Sequence, residues 1–182
     1  DPVGGQWRLL RTTNGGAAWF SAGTLIQAGS EFGWGNSMSW FGQNGWFGTN
    51  NSRVYRTTDG GANWTPATTA FTNSYAVSFA TDQLGIASGN GTARSSNGGA
   101  TWTNTPAQPP VATFGSVAVL LAPSRWYSVA GGSVYKSTDH GNTWPSDFSQ
   151  ANTYEAIDMK VVSVGGNNWL VGYAVGDNGT IT

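Results

Sequence analysis

The chain has few ionisable side chains. Charged residues make up 9% of its 182 residues, the formal net charge is −1, and there is one histidine and no cysteine. The absence of cysteine excludes disulfide bridges and thiolate metal sites. With so little positive charge, the sequence offers no basic stripe for phosphates and no polybasic patch for anionic lipid. We therefore expect neither a nucleic-acid partner nor attachment to a membrane surface.

Long apolar runs are missing as well. The longest, 117–122, is far too short to span a bilayer, so we expect no membrane insertion. No charged and then apolar leader stands at the amino end, where the chain begins Asp1-Pro2. This start is typical of a mature form whose signal has been removed, or of a shortened chain. Absence of cysteine is compatible with export, and we expect a secreted or cell-surface protein from a bacterium.

Glycine and tryptophan, by contrast, are abundant, with 27 and 10 copies. Aromatic residues at 13% combined with a small net charge are typical of a packed core and not of a disordered chain. The length suffices for one domain with a sizeable core. Together these features favour turn-rich β-structure held by large aromatic side chains.

One octapeptide pattern occurs four times along the chain. It consists of a hydroxyl residue, any residue, Asp or Asn, any residue, Gly, two further residues and Trp. Its copies are Thr12–Trp19, Thr57–Trp64, Ser95–Trp102 and Ser137–Trp144. The Asp or Asn stands at 14, 59, 97 and 139, so successive copies lie 45, 38 and 42 residues apart. A spacing near 40 residues indicates an array of similar structural units.

Each octapeptide has the chemistry of a hairpin turn. The Asp or Asn oxygen can accept backbone N–H groups across the turn, glycine supplies a positive φ, and the Trp can bury its ring. We expect structural roles for the pairs Asn14 and Trp19, Asp59 and Trp64, Asn97 and Trp102, and Asp139 and Trp144. A calcium loop would need further alternating oxygen ligands and a bidentate Glu, which these turns lack. We expect no metal and no cofactor.

The octapeptide resembles the Asp-box, or BNR repeat, of β-propeller proteins. That family includes sialidases, xyloglucan-type endoglucanases, sortilin-like receptors, photosystem II assembly factors and many secreted bacterial surface proteins. The resemblance implies an all-β propeller of about four four-stranded antiparallel blades, with each box on the hairpin between the third and fourth strands. It implies no particular reaction, because the same fold serves enzymes, receptors and assembly factors.

The repeats predict where the blades begin and end. We expect a half blade over 1–20, blades at about 36–68, 74–105 and 114–148, and a half blade over 154–182. The first half blade lacks the strands that the last one supplies. Either the two ends pair and close a four-bladed ring, or 1–182 is a contiguous part of a larger propeller, as propellers have about 4 to 8 blades. We favour the second interpretation, in which open strand edges can pair with further blades or another chain.

Aligning the repeats also predicts the core. We expect burial of the octapeptide tryptophans, and of Trp40 and Phe79 at one first-strand position. We expect it too at the aligned second-strand residues Trp46, Ile86, Trp126 and Tyr173. For the position before each octapeptide we expect a solvated strand face, at Arg11, Arg56, Arg94 and Lys136.

The connection 21–36 carries the candidate binding residues Glu31, Phe32 and Trp34. Glu31 and Trp34 have no counterparts in the other repeats. In propellers similar to this one, the loop joining consecutive blades lies on the face that usually binds ligands. An aromatic platform beside a carboxylate is how many sugar sites are built, so the sequence predicts a binding site there. A plain loop aromatic, or a plug against the neighbouring blade, is the alternative.

Catalytic residues are harder to find. The arginine triad and the Tyr–Glu pair of sialidases are not assembled here, and His140 lies inside an octapeptide turn, which argues against a catalytic triad. An endoglucanase would need two carboxylates roughly 5 to 10 Å apart. The resemblance to propellers implies that first strands lie nearest the central channel, so Asp158, on a first strand, is the leading candidate. We predict no catalytic residues in this chain.

The sequence therefore favours a non-enzymatic extracellular recognition or adhesion module that binds glycan or protein through loops on one propeller face. Two alternatives stay open. The chain can be part of a glycoside hydrolase, xyloglucanase-like or sialidase-like, whose site lies partly outside these residues. It can also be a scaffold or assembly factor that adds its open strand edges to a partner's sheet.

Overall fold

The computed structural model describes residues 1–106, 115–119 and 125–182. The regular secondary structure within these ranges consists of β-strands and one short 3-10 helix at Asp177–Gly179. The prediction of an all-β fold is confirmed. Among the described residues, no helix is long and apolar enough to cross a membrane.

The amino-terminal segment contains four short strands. These are β1 (Gln6–Trp7), β2 (Leu10–Arg11), β3 (Phe20–Ser21) and β4 (Leu25–Ile26). β2 and β3 form a hairpin around the first octapeptide, and β1 pairs with β4.

Two complete units follow. Repeat 2 consists of β5 (Gly33–Phe41), β6 (Asn44–Thr49), β7 (Arg53–Thr57) and β8 (Thr65–Thr68), and repeat 3 of β9 (Ser74–Phe79), β10 (Gly85–Gly89), β11 (Thr92–Ser95) and β12 (Thr103–Asn104). Within each repeat, consecutive strands pair antiparallel. One parallel pairing, Asn36 with Ala76, joins the first strands of both repeats into an eight-stranded sheet.

Repeat 4 and a final hairpin complete the chain. Repeat 4 consists of β13 (Gly115–Val119), β14 (Arg125–Ala130), β15 (Ser133–Ser137) and β16 (Ser146–Ser149). The carboxyl-terminal hairpin consists of β17 (Tyr154–Val164) and β18 (Asn167–Gly176), with β19 (Thr180–Ile181) beside β18. Residue 114, where the sequence places the start of a blade, lies outside the described residues.

The core is divided into clusters that lie between consecutive units. From the amino end they are Trp7 with Phe47 and Tyr55; Trp46 and Val54 with Val77 and Phe79; Ile86 with Trp126 and Trp144; and Tyr127 and Val129 with Tyr154 and Ala174. Each complete repeat therefore buries one face against the preceding unit and the other against the following one, so that neighbours stabilise each other.

The strand register corrects one predicted alignment. The second-strand residues that lie opposite the cation preceding each octapeptide are Trp46, Ile86 and Tyr127. The prediction that Trp126 shares this position is wrong by one residue, because Trp126 lies opposite Ser137. A shift of one residue along a strand places a side chain on the other face of the sheet. Trp126 is nevertheless buried, at 1% exposure.

An exchange of large and small residues explains this slip. In repeats 2 and 3, the position of Trp126 is a glycine that lies under the first-strand aromatic. A Cβ built on Gly85 would lie 2.6 Å from the ring of Phe79, and Gly45 is covered by Trp40 in the same way. In repeat 4 the first-strand partner of Trp126 is Ala118. In repeat 4 the large side chain of this pair is on the second strand instead of the first. An alignment by residue size therefore matches Trp126, and not Tyr127, with Trp46 and Ile86.

Three residues predicted to be core are exposed instead. Trp19 is 60%, Trp40 49% and Tyr173 65% exposed. The reason is their place in the array. Trp19 lies in the amino-terminal segment, Trp40 on the face of repeat 2 toward that segment, and Tyr173 on the outer face of the last hairpin. Their counterparts inside the array, such as Trp46 at 0%, are covered by a complete neighbouring repeat.

Candidate functional site

The octapeptides form one hydrogen-bonded turn four times over. In repeat 2 the Thr57 hydroxyl donates to Asp59 Oδ1 at 2.8 Å and accepts the Gly61 N–H at 3.0 Å, while Asp59 Oδ1 accepts the Asn63 N–H at 2.9 Å. The same three bonds, at 2.7 to 3.0 Å, recur at Thr12–Trp19, Ser95–Trp102 and Ser137–Trp144. The side chains thus satisfy backbone donors across each turn.

The turn carboxylates are held in their charged form. Hydrogen bonds from the backbone and side chain of Asn63, and from Thr57, lower the pKa of Asp59 to about 2. For Asp139, desolvation opposes ionisation, but bonds from the backbone and hydroxyl of Thr143 lower its pKa nonetheless. Within the described residues, no group of three His, Asp or Glu side chains could hold a metal ion.

The arginines before the first three octapeptides reach the turn of the next unit, whereas Lys136 pairs with Asp147 of its own repeat. Arg94 Nη1 donates to the His140 carbonyl at 3.0 Å and to Asn142 Oδ1 at 3.2 Å. Arg56 approaches Gly98 and Arg11 approaches Gly60 in the same manner, with guanidinium nitrogens 3.5 and 3.4 Å from the Cβ that each glycine would carry. The expectation of a solvated strand face is therefore wrong for Arg94, which links repeats 3 and 4.

Glu31, the carboxylate of the predicted binding site, is engaged inside the protein. It is 3% exposed, Arg53 Nη1 lies 2.6 Å from its Oε1, and the Tyr55 hydroxyl donates to its Oε2 at 2.7 Å. Burial and this hydrogen bond raise the pKa of Tyr55 to about 12, so the phenol stays a donor. The carboxylate fixes the connection 21–36 onto β7 of repeat 2.

Phe32 and Trp34 remain at the surface, 41% and 36% exposed. Their rings meet edge to face at 5.0 Å between centroids, and the ring of Tyr75 in repeat 3 packs against Trp34 at 4.6 Å and 89°. We call these three residues the aromatic platform. Trp34 belongs to β5, which begins at Gly33, so the ring stands on a strand.

Tyr75 was missed by the sequence analysis. Its proximity to Trp34 depends on the parallel pairing of Asn36 with Ala76, which joins residues 40 positions apart. Both residues stand near the start of a first strand, Trp34 on β5 and Tyr75 on β9. The repeats are compared by alignment along the sequence, however, and this does not reveal which side chains meet across two repeats.

Amide and carboxylate groups bond to the chain next to the platform, and Asp1 Oδ1 accepts the Gly33 N–H at 3.1 Å. Asn50 Oδ1 accepts the Phe32 N–H at 2.8 Å, and Asn73 donates to Asn90 Oδ1. Beside Trp34 a cavity of about 340 Å³ opens, lined also by Arg8 and Gly35. Aromatic faces with a few fixed polar groups are typical of small-ligand sites.

Asp158, the candidate catalytic carboxylate, lies elsewhere. It is exposed on β17 and stands opposite Tyr173 of β18. The platform belongs to repeats 2 and 3, whereas Asp158 belongs to the carboxyl-terminal hairpin. The structure therefore does not bring Asp158 together with Phe32 and Trp34 in one repeat.

No protein-family model and no curated protein matches the chain. Solved structures do resemble it. YCF48 bound to D1 peptide matches with a TM-score of 0.63 at 14% identity, over 96% of this chain and 55% of that one. The computationally designed Ika4 protein matches with 0.60 at 8% identity, over 81% and 88%. An ancestral GH74 enzyme matches with 0.56 at 14% identity, over 78% and 23%.

The chain thus spans about half of the YCF48 chain and about a quarter of the GH74 enzyme. At these identities the likeness concerns the fold and nothing beyond it. YCF48 and the GH74 enzymes are propeller proteins. The chain has a β-propeller fold.

Proposed function

We propose that this protein is a non-enzymatic recognition module that binds neutral glycans on the aromatic platform of Phe32, Trp34 and Tyr75. The observation that carries the proposal is the convergence of three rings from two repeats at the surface, with Trp34 in edge-to-face contact with both others. Sugar rings present C–H faces that pack on aromatic rings, and their hydroxyls pair with amides and backbone groups.

The charge distribution supports a neutral ligand. Glu31, the acidic side chain closest in sequence to the platform, is buried and paired with Arg53. The amide of Asn50 bonds to the backbone of Phe32, and the two charged side chains that line the adjoining cavity, Asp1 and Arg8, have opposite signs. Amides both donate and accept hydrogen bonds, as the hydroxyl groups of a sugar require.

Rigidity also favours binding at this place. Trp34 stands on β5, and Tyr75 on the adjoining strand β9. Phe32 is fixed by Asn50 and by the buried Glu31 next to it. A surface that is already ordered loses little conformational entropy on binding.

The finer architecture belongs to the same proposal. We take the four octapeptide turns as Asp-boxes, the repeats as blades near the limits predicted from the sequence, and the whole as about four blades. The four-fold recurrence of the same three hydrogen bonds supports this interpretation. We further propose that the module acts outside the cell, on a surface or as a secreted protein, in adhesion or capture.

The experiment is a titration of the protein with soluble neutral polysaccharides, such as xyloglucan, mixed-linkage β-glucan and galactomannan. We expect saturable binding to at least one, little changed between low and high salt because no ion pair is formed. Trp34→Ala should weaken it about tenfold to a hundredfold, in the range of a central interface residue. Phe148→Ala is the matched control, since Phe148 is a 45% exposed aromatic in repeat 4.

The other functions are distinct outcomes of this experiment. Release of reducing sugar that is abolished by Asp158→Asn would establish the glycoside hydrolase fragment instead. If no polysaccharide binds, or if Trp34→Ala binds as the unaltered protein does, the glycan proposal fails. A protein ligand would then be the next candidate, as for YCF48, whose solved complex contains a peptide.

A further inference from the structure

The carboxyl-terminal hairpin has one face without a neighbour among the described residues. Its side chains alternate along β18. Leu170 and Ala174 pack toward repeat 4, whereas Trp169, Val171 and Tyr173 point the other way. These three are 59%, 42% and 65% exposed. Complete repeats bury the equivalent face, so this hairpin presents an apolar surface of the kind that repeats use to pack on each other.

At the other end of the array lies an unfilled apolar groove. It has a volume of about 500 Å³ and separates the amino-terminal segment from repeat 2. Its walls include Leu10, Trp19, Met38, Trp40 and Trp64. Trp19, Met38 and Trp40 are 60%, 62% and 49% exposed. The groove thus lies where the inner strands of a unit preceding repeat 2 would stand.

The junction between repeats 2 and 3 shows how such a groove is filled. Trp46, on the second strand of repeat 2, stacks on Phe79 of repeat 3 with ring centroids 3.6 Å apart and planes at 7°. Its indole N–H also donates to the Gly98 carbonyl at 2.7 Å. One second-strand aromatic therefore covers the first-strand aromatic of the next repeat and bonds to its octapeptide turn.

Tyr173 corresponds to Trp46 and Trp40 to Phe79, but Tyr173 and Trp40 lie at opposite ends of the array. Tyr173 directly follows Gly172, which lies under Met159 of the first strand, just as Trp46 follows Gly45 under Trp40. Trp40 in turn occupies in repeat 2 the position of Phe79 in repeat 3, each opposite a glycine. Among the described residues, no ring stacks on Tyr173 as Phe79 stacks on Trp46, and none stacks on Trp40 as Trp46 stacks on Phe79.

We propose that the carboxyl-terminal hairpin of one copy of this chain docks in the groove of a second copy, with Tyr173 stacked on Trp40. The Tyr173 hydroxyl then reaches the turn of repeat 2 at Gly60, the counterpart of Gly98. Each copy offers one hairpin and one groove, so two copies related by a two-fold axis satisfy both contacts and close a ring. A ring of two four-unit arrays has about eight blades, within the range of known propellers.

Charge complements shape at this contact. Asp158 stands beside Tyr173 on the exposed face of the hairpin, because residues paired across strands share a face. Arg8 and Arg11 line the groove. The docked hairpin therefore brings a carboxylate toward two guanidinium groups, which favours this occupant over an uncharged apolar segment.

Within the described residues the hairpin and the groove lie at opposite ends of the array, so the hairpin that docks in the groove belongs to a second copy. Among the described strands, β17, β18 and β19 pair with one another, and β1 to β4 likewise pair within the amino-terminal segment. Both ends are ordered on their own neighbours, the hairpin on repeat 4 and the segment on repeat 2. The two surfaces are thus formed at opposite ends of one array and available to different molecules.

Sedimentation velocity of the 1–182 chain over a range of concentrations tests the proposal. We expect a species of twice the 19.0 kDa chain mass, dissociating on dilution. Tyr173→Ser and Trp40→Ser should each weaken dimer formation at least tenfold. Both residues are exposed in the single chain, so far-UV circular dichroism should show that the variants remain folded. Phe148→Ser, an exposed aromatic outside the contact, should leave the dimer intact.

Mixing the two variants distinguishes this contact from other modes of association. A heterodimer of Tyr173→Ser with Trp40→Ser contains one intact Tyr173–Trp40 contact, whereas each variant alone contains none. The mixture should therefore dimerise more strongly than either variant. Three outcomes overturn the proposal: a monomer at high concentration, which includes a chain that closes on itself; a dimer that both substitutions leave unchanged; and a mixture no stronger than its components. Glycan binding at Trp34 is measured separately and does not decide this test.

Discussion

Glu31 and Arg53 form an ion pair of 2.6 Å in which the carboxylate is entirely removed from solvent and the guanidinium is 30% exposed. The second carboxylate oxygen accepts the Tyr55 hydroxyl, so both oxygens are satisfied. A charge buried in this way is tolerable because it is paired and hydrogen-bonded. The pair is a structural anchor for the connection that leads to the aromatic platform.

Replacing Glu31 should therefore reduce stability. Glu31→Ala leaves the Arg53 charge and the Tyr55 hydroxyl without this partner, and we expect a loss of about 3 kcal/mol in the free energy of unfolding. Urea denaturation measures it. The control is Asp147→Asn, which breaks the exposed Lys136–Asp147 pair and should cost about 0.5 kcal/mol. Equal effects of the two substitutions would contradict the structural role of Glu31.

Ionisation of Tyr55 should destabilise the folded protein at alkaline pH. Its pKa is raised to about 12 in the folded chain, against about 10 for an unfolded tyrosine. The stabilising contribution is complete below pH 10 and disappears as the pH rises from about 10 to about 12, because the unfolded state ionises first. The difference in unfolding free energy between the unaltered protein and Tyr55→Phe should shrink across this window by about 2 kcal/mol. A constant difference would argue against the raised pKa.

Gly85 is required by the ring of Phe79. A Cβ at this position would lie 2.6 Å from several ring atoms in the stack with Trp46, so the ring must move. We expect Gly85→Ala to destabilise the protein by about 2 kcal/mol, as overpacked cores do. Gly35→Ala is the matched control, since a Cβ there meets no atom within 4 Å. Thermal unfolding of both variants checks the prediction, which fails if they behave alike.

Asp59 should make the protein sensitive to acid. Its folded pKa is about 2, below the ordinary value of 3.8. Stability from this group is present above about pH 4 and is lost as the pH falls toward 2, because the unfolded chain takes up the proton first. Asp59→Asn should flatten the dependence of the melting temperature on pH in this window. Asp82→Asn, an exposed carboxylate outside the four turns, is the control and should leave the slope less affected.

The candidate site was partly readable from the sequence. Trp34 stands out because the other repeats have no counterpart for it, and the structure places it at the surface in contact with Phe32. The burial of Glu31 was not readable, since its partners Arg53 and Tyr55 are 22 and 24 residues away. Tyr75 joins the platform through a parallel strand pairing between repeats, which no local pattern encodes.

Local chemistry decided the all-β fold. Each octapeptide forms its hydrogen bonds among its own eight residues, through the hydroxyl, the Asp or Asn oxygen and the glycine N–H. The turn and its recurrence therefore follow from the sequence alone. Packing between units was decided by the tertiary structure. The strand register decides which face of the sheet Trp126 and Tyr127 each occupy. Trp46 is buried and Tyr173 is exposed because a neighbouring repeat covers the first and not the second. A side chain's type is written in the sequence, whereas the surface that covers it is supplied by residues far away in the chain.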